Sequence, residues 1–333
     1  MPQSPLGGVA RYMGDMLFSI GAEYQHLSGF GLGLVILLIG GYWLIPASVS
    51  LATRVHLPPR LIASVIIAGG TSAPELLVSV NAGLTGNPDI ALANVTGSNI
   101  TNIFLVFGLG ILLMPVGLNS PRDRQDIFWL TILTLAVSVM LLADIFASWG
   151  GRMIGLCLFA SFFLLALRQK TADNLTPETS GSPQFGLMAS VVMTLLSIAA
   201  LITGAHLMVT HAVSIATSFE IDKAVIGATI VAIGTSLPEI TAVMASLLKG
   251  RQDMAVGNII GSNMFNICIV LGITAMAAPL PASASLLFTI LPFFVLSSLF
   301  LLGLSWRFSH AGRRVGTAFL GLYGCFAGLC YVL

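Results

Sequence analysis

Gly70-Thr-Ser-Ala-Pro-Glu75 and Gly97-Ser-Asn-Ile-Thr-Asn102 return 164 residues later as Gly234-Thr-Ser-Leu-Pro-Glu239 and Gly261-Ser-Asn-Met-Phe-Asn266. Between them, Gly86, Asp89 and Asn94 return as Gly250, Asp253 and Asn258. Upstream, Val49-Ser-Leu-Ala-Thr53 returns as Val213-Ser-Ile-Ala-Thr217 in the same register. Apolar segments can resemble each other by composition alone. Rare polar residues kept in one ungapped register indicate a duplicated unit.

The solvent of that unit follows from composition. Of 333 residues, 56% are hydrophobic and 8% charged, with a mean hydropathy of +0.97. Soluble domains carry about 25% charged residues. A disordered chain, a nucleic-acid binder and a disulfide-stapled secreted module are therefore excluded, and a net charge of +1 implies no polyanion partner. Cys157, Cys268, Cys325 and Cys330 lie in apolar runs with no paired spacing, so they read as buried free thiols. No cleavable signal is expected at the N-terminus, and Tyr12–Ile20 reads as a short interfacial helix.

Hydropathy and helix breakers predict ten spans, at about 30–53, 60–84, 89–116, 126–144, 149–168, 186–216, 223–248, 254–279, 284–304 and 314–332. The organisation is then an N-terminal extension (1–29), a first five-helix repeat (30–168), a linker loop (169–185) and a second five-helix repeat (186–333). Five is odd, so the second copy enters the membrane from the opposite side. The expected fold class is an all-α polytopic membrane protein, ten transmembrane helices in two inverted five-helix repeats, which is a transporter architecture. Loops after odd-numbered spans hold eleven of the fourteen Lys and Arg residues. The positive-inside rule places both termini of this multi-pass chain outside the cytoplasm, in a plasma or inner membrane.

Among thirteen carboxylates, only Glu75 and Glu239 fall deep within a predicted span. A charge at mid-membrane costs about 2.5–3.5 kcal/mol on insertion scales, and no Lys or Arg is predicted at matching depth. The plain reading is a pair of protonated, hydrogen-bonded acids. The functional one is two carboxylates facing each other to hold a divalent cation or several monovalent ones. Pro74 and Pro238 precede them and release the carbonyls of Gly70 and Gly234. Those of Thr71 and Thr235 are expected to splay at the kink. Ser72 and Ser236 lie i, i+3 from the glutamates. Asn94, Ser98 and Asn102 form one polar stripe at helical spacing, matched by Asn258, Ser262 and Asn266. Such a stripe alone would read as interhelical packing. Beside the glutamates, Ser98, Ser262, Asn102 and Asn266 read as ligands, while Asn94, Asn258, Asn99 and Asn263 stay between the two readings. The donors are all oxygen, which suits Ca2+, Mg2+, Mn2+ and Na+. His206 and His211 read as packing or span-end residues, Tyr42 and Trp43 as packing, and Asp89 and Asp253 as helix caps.

These motifs resemble the two alpha-repeats of the calcium:cation antiporter superfamily, in its prokaryotic Na+/Ca2+ exchanger branch. The resemblance implies that Glu75 and Glu239 bind Ca2+ and share the Na+ sites, with the carbonyls of Thr71 and Thr235 as Ca2+ ligands. It implies Na+ positions at Ser72, Ser98, Ser236 and Ser262 and at the carbonyls of Ala68 and Ala232, with Asn102 and Asn266 completing the centre. It further implies that the first and sixth spans slide together against the remaining bundle, and Gly40, Gly41 and Gly204 are placed to permit that sliding. Asn266 stands where potassium-dependent members carry aspartate, which argues against K+ cotransport. Proton exchange is the alternative transport mode, a passive cation channel a different class. The expectations are therefore no enzymatic activity, no resident cofactor, Ca2+ and Na+ as transported substrates, membrane lipid as surroundings, no nucleic acid and a functional monomer.

Overall fold

Proline has no N–H to return to the carbonyl four residues back, and the chain breaks its helix at both motif prolines. In the computed structural model, which describes residues 5–55, 67–118, 120–173, 184–218, 229, 232–307 and 310–332, the helix Ala68–Thr71 stops at Ser72 (φ −86°, ψ 10°) and resumes over Ala73–Leu84. In the second copy Ala232–Thr235 stops at Ser236 (φ −84°, ψ 4°) and resumes over Leu237–Leu248. Both resumed helices then turn on a left-handed glycine, Gly86 (φ 74°) and Gly250 (φ 70°), a conformation that favours a residue without Cβ. The next helices, Pro88–Leu113 and Gln252–Ala277, are 83% buried over their apolar windows and each passes through a π-helical stretch, Thr101–Phe107 and Asn266–Val270. Residues 56–66, 219–228 and 230–231, where the second and seventh spans are expected to begin, lie outside the described residues.

The inversion is written in the contacts at the two ends of the bundle. At one end Val116–Gly117 pairs antiparallel with His310–Ala311, and the Gly117 N–H donates to Gln252 Oε1 at 3.4 Å. At the other, the Leu280 N–H donates to the Phe146 carbonyl at 2.8 Å and the Ser283 N–H to Asp89 Oδ1 at 3.3 Å. Shifted by the repeat length, 280 corresponds to 116 and 146 to 310, so equivalent segments meet at each end with the halves exchanged, one residue apart in register. The Gly86 turn sits with Asp89 at one end and the Gly250 turn with Gln252 at the other, so equivalent helices run in opposite directions. Pro121–Leu142 packs against its counterpart, Leu286–Arg307, and the Thr131 hydroxyl donates to the Ser298 carbonyl at 3.3 Å across that seam.

Six of the described helices are long and apolar enough to cross a membrane, and Trp149–Leu165 and Leu237–Leu248 are shorter apolar helices. The apolar core is in two parts. The larger gathers Phe104, Phe107, Ile127, Phe146, Phe294 and Phe326 with their neighbours and, among the described residues, draws nothing from the helices Pro5–Arg54 and Leu187–Ser218. Those two helices pack along each other and meet the bundle through a small separate cluster of Leu44, Ile67, Leu201, Ala242 and Met254.

Three expectations are corrected. Tyr12–Ile20 is no separate interfacial helix, because the helix runs unbroken from Pro5 to Arg54 with no breaker strong enough to end it. Asp89 and Asp253 are first-turn residues. The caps are Asn87 and Arg251, neither with a side-chain capping bond, and Asp89 instead holds the far loop at Ser283. All four thiols are free, but Cys157 and Cys325 are exposed on outward helix faces while Cys268 and Cys330 are buried.

Candidate cation-binding site

The helix breaks aim each motif serine across the pseudo-axis. The Ser72 hydroxyl donates to Glu239 Oε1 at 2.7 Å, and the Ser236 hydroxyl to Glu75 Oε1 at 3.4 Å. Each serine therefore serves the glutamate of the other repeat and not the one three residues along its own chain. This exchange brings both carboxylates to one locus. All twelve of the residues Glu75, Glu239, Thr71, Thr235, Ser72, Ser236, Ser98, Ser262, Asn102, Asn266, Ala68 and Ala232 are fully buried.

The polar stripe of Pro88–Leu113 faces the same locus. The Thr235 hydroxyl lies 3.4 Å from Ser98 Oγ and donates to Asn94 Oδ1 at 3.3 Å. The Asn94 amide donates in turn to the Glu75 carbonyl at 3.3 Å and to Ser79 Oγ at 2.9 Å. Asn94 thus braces the broken helix. Ser79, which the sequence reading passed over, is the second point of that brace, and its i+4 spacing from Glu75 was the available signal. Asn99 and Asn263 turn their amides onto their own helices, donating to the carbonyls of Val95 at 2.8 Å and Ile259 at 2.7 Å.

Buried polar atoms are normally hydrogen-bonded, and clustered exceptions call for an explanation. Here the second carboxylate oxygens of Glu75 and Glu239, Ser262 Oγ, the side-chain oxygens of Asn99 and Asn263, and the whole amides of Asn102, Asn258 and Asn266 lack a partner among the described residues. Neither glutamate meets a basic side chain there. Asn102 and Asn266 lie in the π-helical stretches, whose wider turns recur at functional sites. A cluster of two carboxyls, hydroxyls and amide oxygens has the chemistry to hold a hard cation. Outside it, His211 contacts His26, Nδ1 to Nδ1 at 3.1 Å. No group of three or more His, Cys, Asp or Glu residues suited to a metal occurs among the described residues.

Comparison with known proteins identifies the family. The family described as sodium/calcium exchanger protein matches residues 26–170 and 189–332. The inner membrane protein YrbG of Escherichia coli is 32% identical over 317 residues, covering 90% of this chain and 95% of that protein. The sodium/calcium exchanger MaX1 of Methanosarcina acetivorans is 29% identical, covering 81% and 88%. Among solved structures, the sodium–calcium exchanger NCX_Mj soaked with sodium and no calcium superposes with a TM-score of 0.76 at 28% identity, covering 91% of this chain and 98% of that one. The same protein soaked with Na+ and Ca2+ gives a TM-score of 0.74 at 29% identity. The chain belongs to the sodium/calcium exchanger protein family.

Proposed function

We propose that this membrane protein exchanges Ca2+ for Na+ by alternating access, with the ions competing for the oxygen cage between the repeats. The observation that carries the reading is the reciprocal Ser72–Glu239 and Ser236–Glu75 pairing, which converges two carboxylates in a fully buried place where no described residue offers them a cationic side chain. A divalent ion satisfies two such charges at once. Na+ is nearly the size of Ca2+, so several Na+ can replace it in the same flexible cage. The names of MaX1 and NCX_Mj are in keeping with this choice of ions.

Alternating access is supported by unequal halves. The two serine–glutamate contacts differ by 0.7 Å, at 2.7 and 3.4 Å. Asn94 is fully engaged while its counterpart Asn258 has no partner among the described residues. Inverted repeats in different conformations open a central site to one side, and exchanging those conformations opens it to the other. The division of the apolar core supports a sliding seam, because among the described residues the helices Pro5–Arg54 and Leu187–Ser218 contribute none to the main core. With eleven of fourteen basic residues in loops after odd-numbered spans, we place both termini outside the cytoplasm.

The deciding experiment is uptake of radioactive calcium into proteoliposomes driven in turn by Na+, H+ and K+ gradients. The expected result is uptake with an outward Na+ gradient only. Uptake driven equally by a proton gradient would replace Na+ with H+ as counter-ion, and uptake with no gradient would make the protein a channel. Two variants refine the site. Ser72→Ala is expected to raise the Na+ concentration for half-maximal exchange by about tenfold or more, since a hydrogen bond to a charged group contributes about 1.5–3 kcal/mol. Ser236→Ala, with the longer contact, should raise it less, and the reverse order would contradict the geometry. Asn266→Asp adds a buried charge to the centre and should shift cation preference or the pH profile of exchange while leaving the melting temperature near that of the parent. An unaltered preference and pH profile would remove Asn266 from the site.

A further inference from the structure

Where the helix Pro121–Leu142 begins and Leu286–Arg307 ends, a cleft of about 450 Å3 opens between Arg124, Gln125, Phe128 and Trp306. Nothing in ion exchange uses it. We propose that this cleft binds the headgroup of an anionic phospholipid, with Arg124 on the phosphate and Phe128 and Trp306 flanking the glycerol and upper acyl chains.

The chemistry of the walls argues for it. Arginine offers a planar fork of donors matched to phosphate oxygens. Nearby Arg122, Asp123, Asp126 and Arg307 are engaged in interactions of their own, while Arg124 has no side-chain hydrogen bond or ion pair among the described residues. Trp306 is 66% exposed and Phe128 40%, at the end of an apolar helix pair, where aromatic rings favour the headgroup level. Below the cleft, Phe128, Ile132, Leu135 and Val139 are all exposed and recur at helical spacing, giving one apolar track down which an acyl chain can lie. The same end holds the Val116–Gly117 and His310–Ala311 pair, which brings Arg313 and Arg314 to this end of the bundle.

The duplication supplies an internal control. The repeat register extends through these helices, since Ile127, Leu130, Thr134, Val137 and Leu141 are buried and so are their counterparts Leu291, Phe294, Ser298, Leu301 and Ser305. By that register Arg124, Phe128 and Trp306 correspond to Phe288, Pro292 and Leu142 at the opposite end. There the fold repeats the position with no guanidinium and no indole. The architecture therefore does not require Arg124 and Trp306, and this position of the repeat carries a guanidinium and an indole at one end of the bundle and not at the other. In the orientation proposed above, that end faces the cytoplasmic leaflet.

The test is native mass spectrometry of the full chain released from nanodiscs of equal phosphatidylcholine and phosphatidylglycerol. The expected result is one phosphatidylglycerol retained per chain in preference to phosphatidylcholine. Arg124→Gln should lower that retention by about tenfold, the loss of one charge-assisted contact, and Arg124→Lys by less. Arg152→Gln, which removes an arginine stacked on Trp149 with its guanidinium carbon 4.2 Å from the ring centroid at the other end, should leave it unchanged. Millimolar inorganic phosphate should not displace the lipid. Equal retention of both lipids, full retention in Arg124→Gln, an equal loss in Arg152→Gln, or displacement by inorganic phosphate would each overturn the proposal. The readout does not depend on ion flux, so it stands apart from the exchange assays.

Discussion

Glu75→Gln and Glu239→Gln are each expected to abolish sodium-driven calcium uptake while the protein inserts and folds as before. Glutamine keeps the volume of the side chain and an oxygen able to accept from the opposing serine, at 2.7 Å for Glu239 and 3.4 Å for Glu75. It removes the one property that a divalent ion needs in a site stripped of water, a second negative charge. Taking one partner from a buried ion pair costs about 3–5 kcal/mol, which is roughly 100- to 1000-fold in affinity or more. Stability should move the other way. A carboxylate held at mid-membrane costs about 2.5–3.5 kcal/mol to insert, so the amides are expected to melt at or above the parent temperature when no ion is added. A pair of acids kept only to tie helices together would give the opposite pattern, with melting temperature falling and flux preserved in whatever folds. Calcium uptake and thermal melting measured on the same preparations separate the two. Flux near that of the parent in either variant would end the assignment of these glutamates.

What could be read from the chain was its periodic and polar skeleton. The two glutamates announced themselves because acids are costly in apolar helices, and the serines and asparagines because they returned in register with them. The twelve residues singled out are all buried, and hydrogen bonds or close contacts link Ser72, Glu239, Ser236, Glu75, Ser98 and Thr235 across the two repeats. The cross-pairing was not legible. Spacing placed Ser72 on the face of Glu75, but the break that Pro74 imposes turns Ser72 onto Glu239, a partner 167 residues away. The π-helical stretches at Thr101–Phe107 and Asn266–Val270 were also silent, since one extra residue in a turn leaves the hydropathy of the window unchanged. Asp89 misled for a related reason. An acid at a helix start reads as a cap, yet its carboxylate is drawn to the backbone of Ser283, a long-range contact that local rules do not see. The unbroken helix Pro5–Arg54 shows a limit of hydropathy. A drop in apolar content marks where lipid ends and says nothing of where the helix does.

Gly41→Ile is expected to slow exchange by tenfold or more while calcium still binds, because Gly41 stands where the two long helices of the proposed sliding pair touch the rest of the bundle. A Cβ on Gly41 would lie 2.7 Å from the Thr241 Cβ and 2.8 Å from its hydroxyl, inside van der Waals contact with a neighbour on the helix that carries Glu239. Gly70 presents the same seam from the bundle side, where a Cβ would meet Ile198 at 2.8 Å. Gly40 differs, for its Cβ would strike the Ser197 carbonyl at 2.9 Å, within the pair of long helices itself. Overpacking costs about 1–3 kcal/mol. At Gly41 that cost falls on the arrangement seen here and is relieved when the pair slides away from Thr241, so one conformation is disfavoured by roughly 5- to 150-fold and the cycle, which must visit both, slows. At Gly40 the cost falls on both conformations, and Gly40→Ile should lower the melting temperature instead. Gly31, with open space around its Cβ position, should accept isoleucine without effect on exchange. The decisive arm is compensation. Gly41→Ala combined with Thr241→Gly removes the colliding Cβ from the opposite wall and should recover exchange that Gly41→Ala alone has lost. If exchange proceeds at the parent rate in Gly41→Ile, or if Thr241→Gly rescues nothing, the seam between Gly41 and Thr241 does not move during the cycle, and the sliding surface must be sought elsewhere along the two long helices.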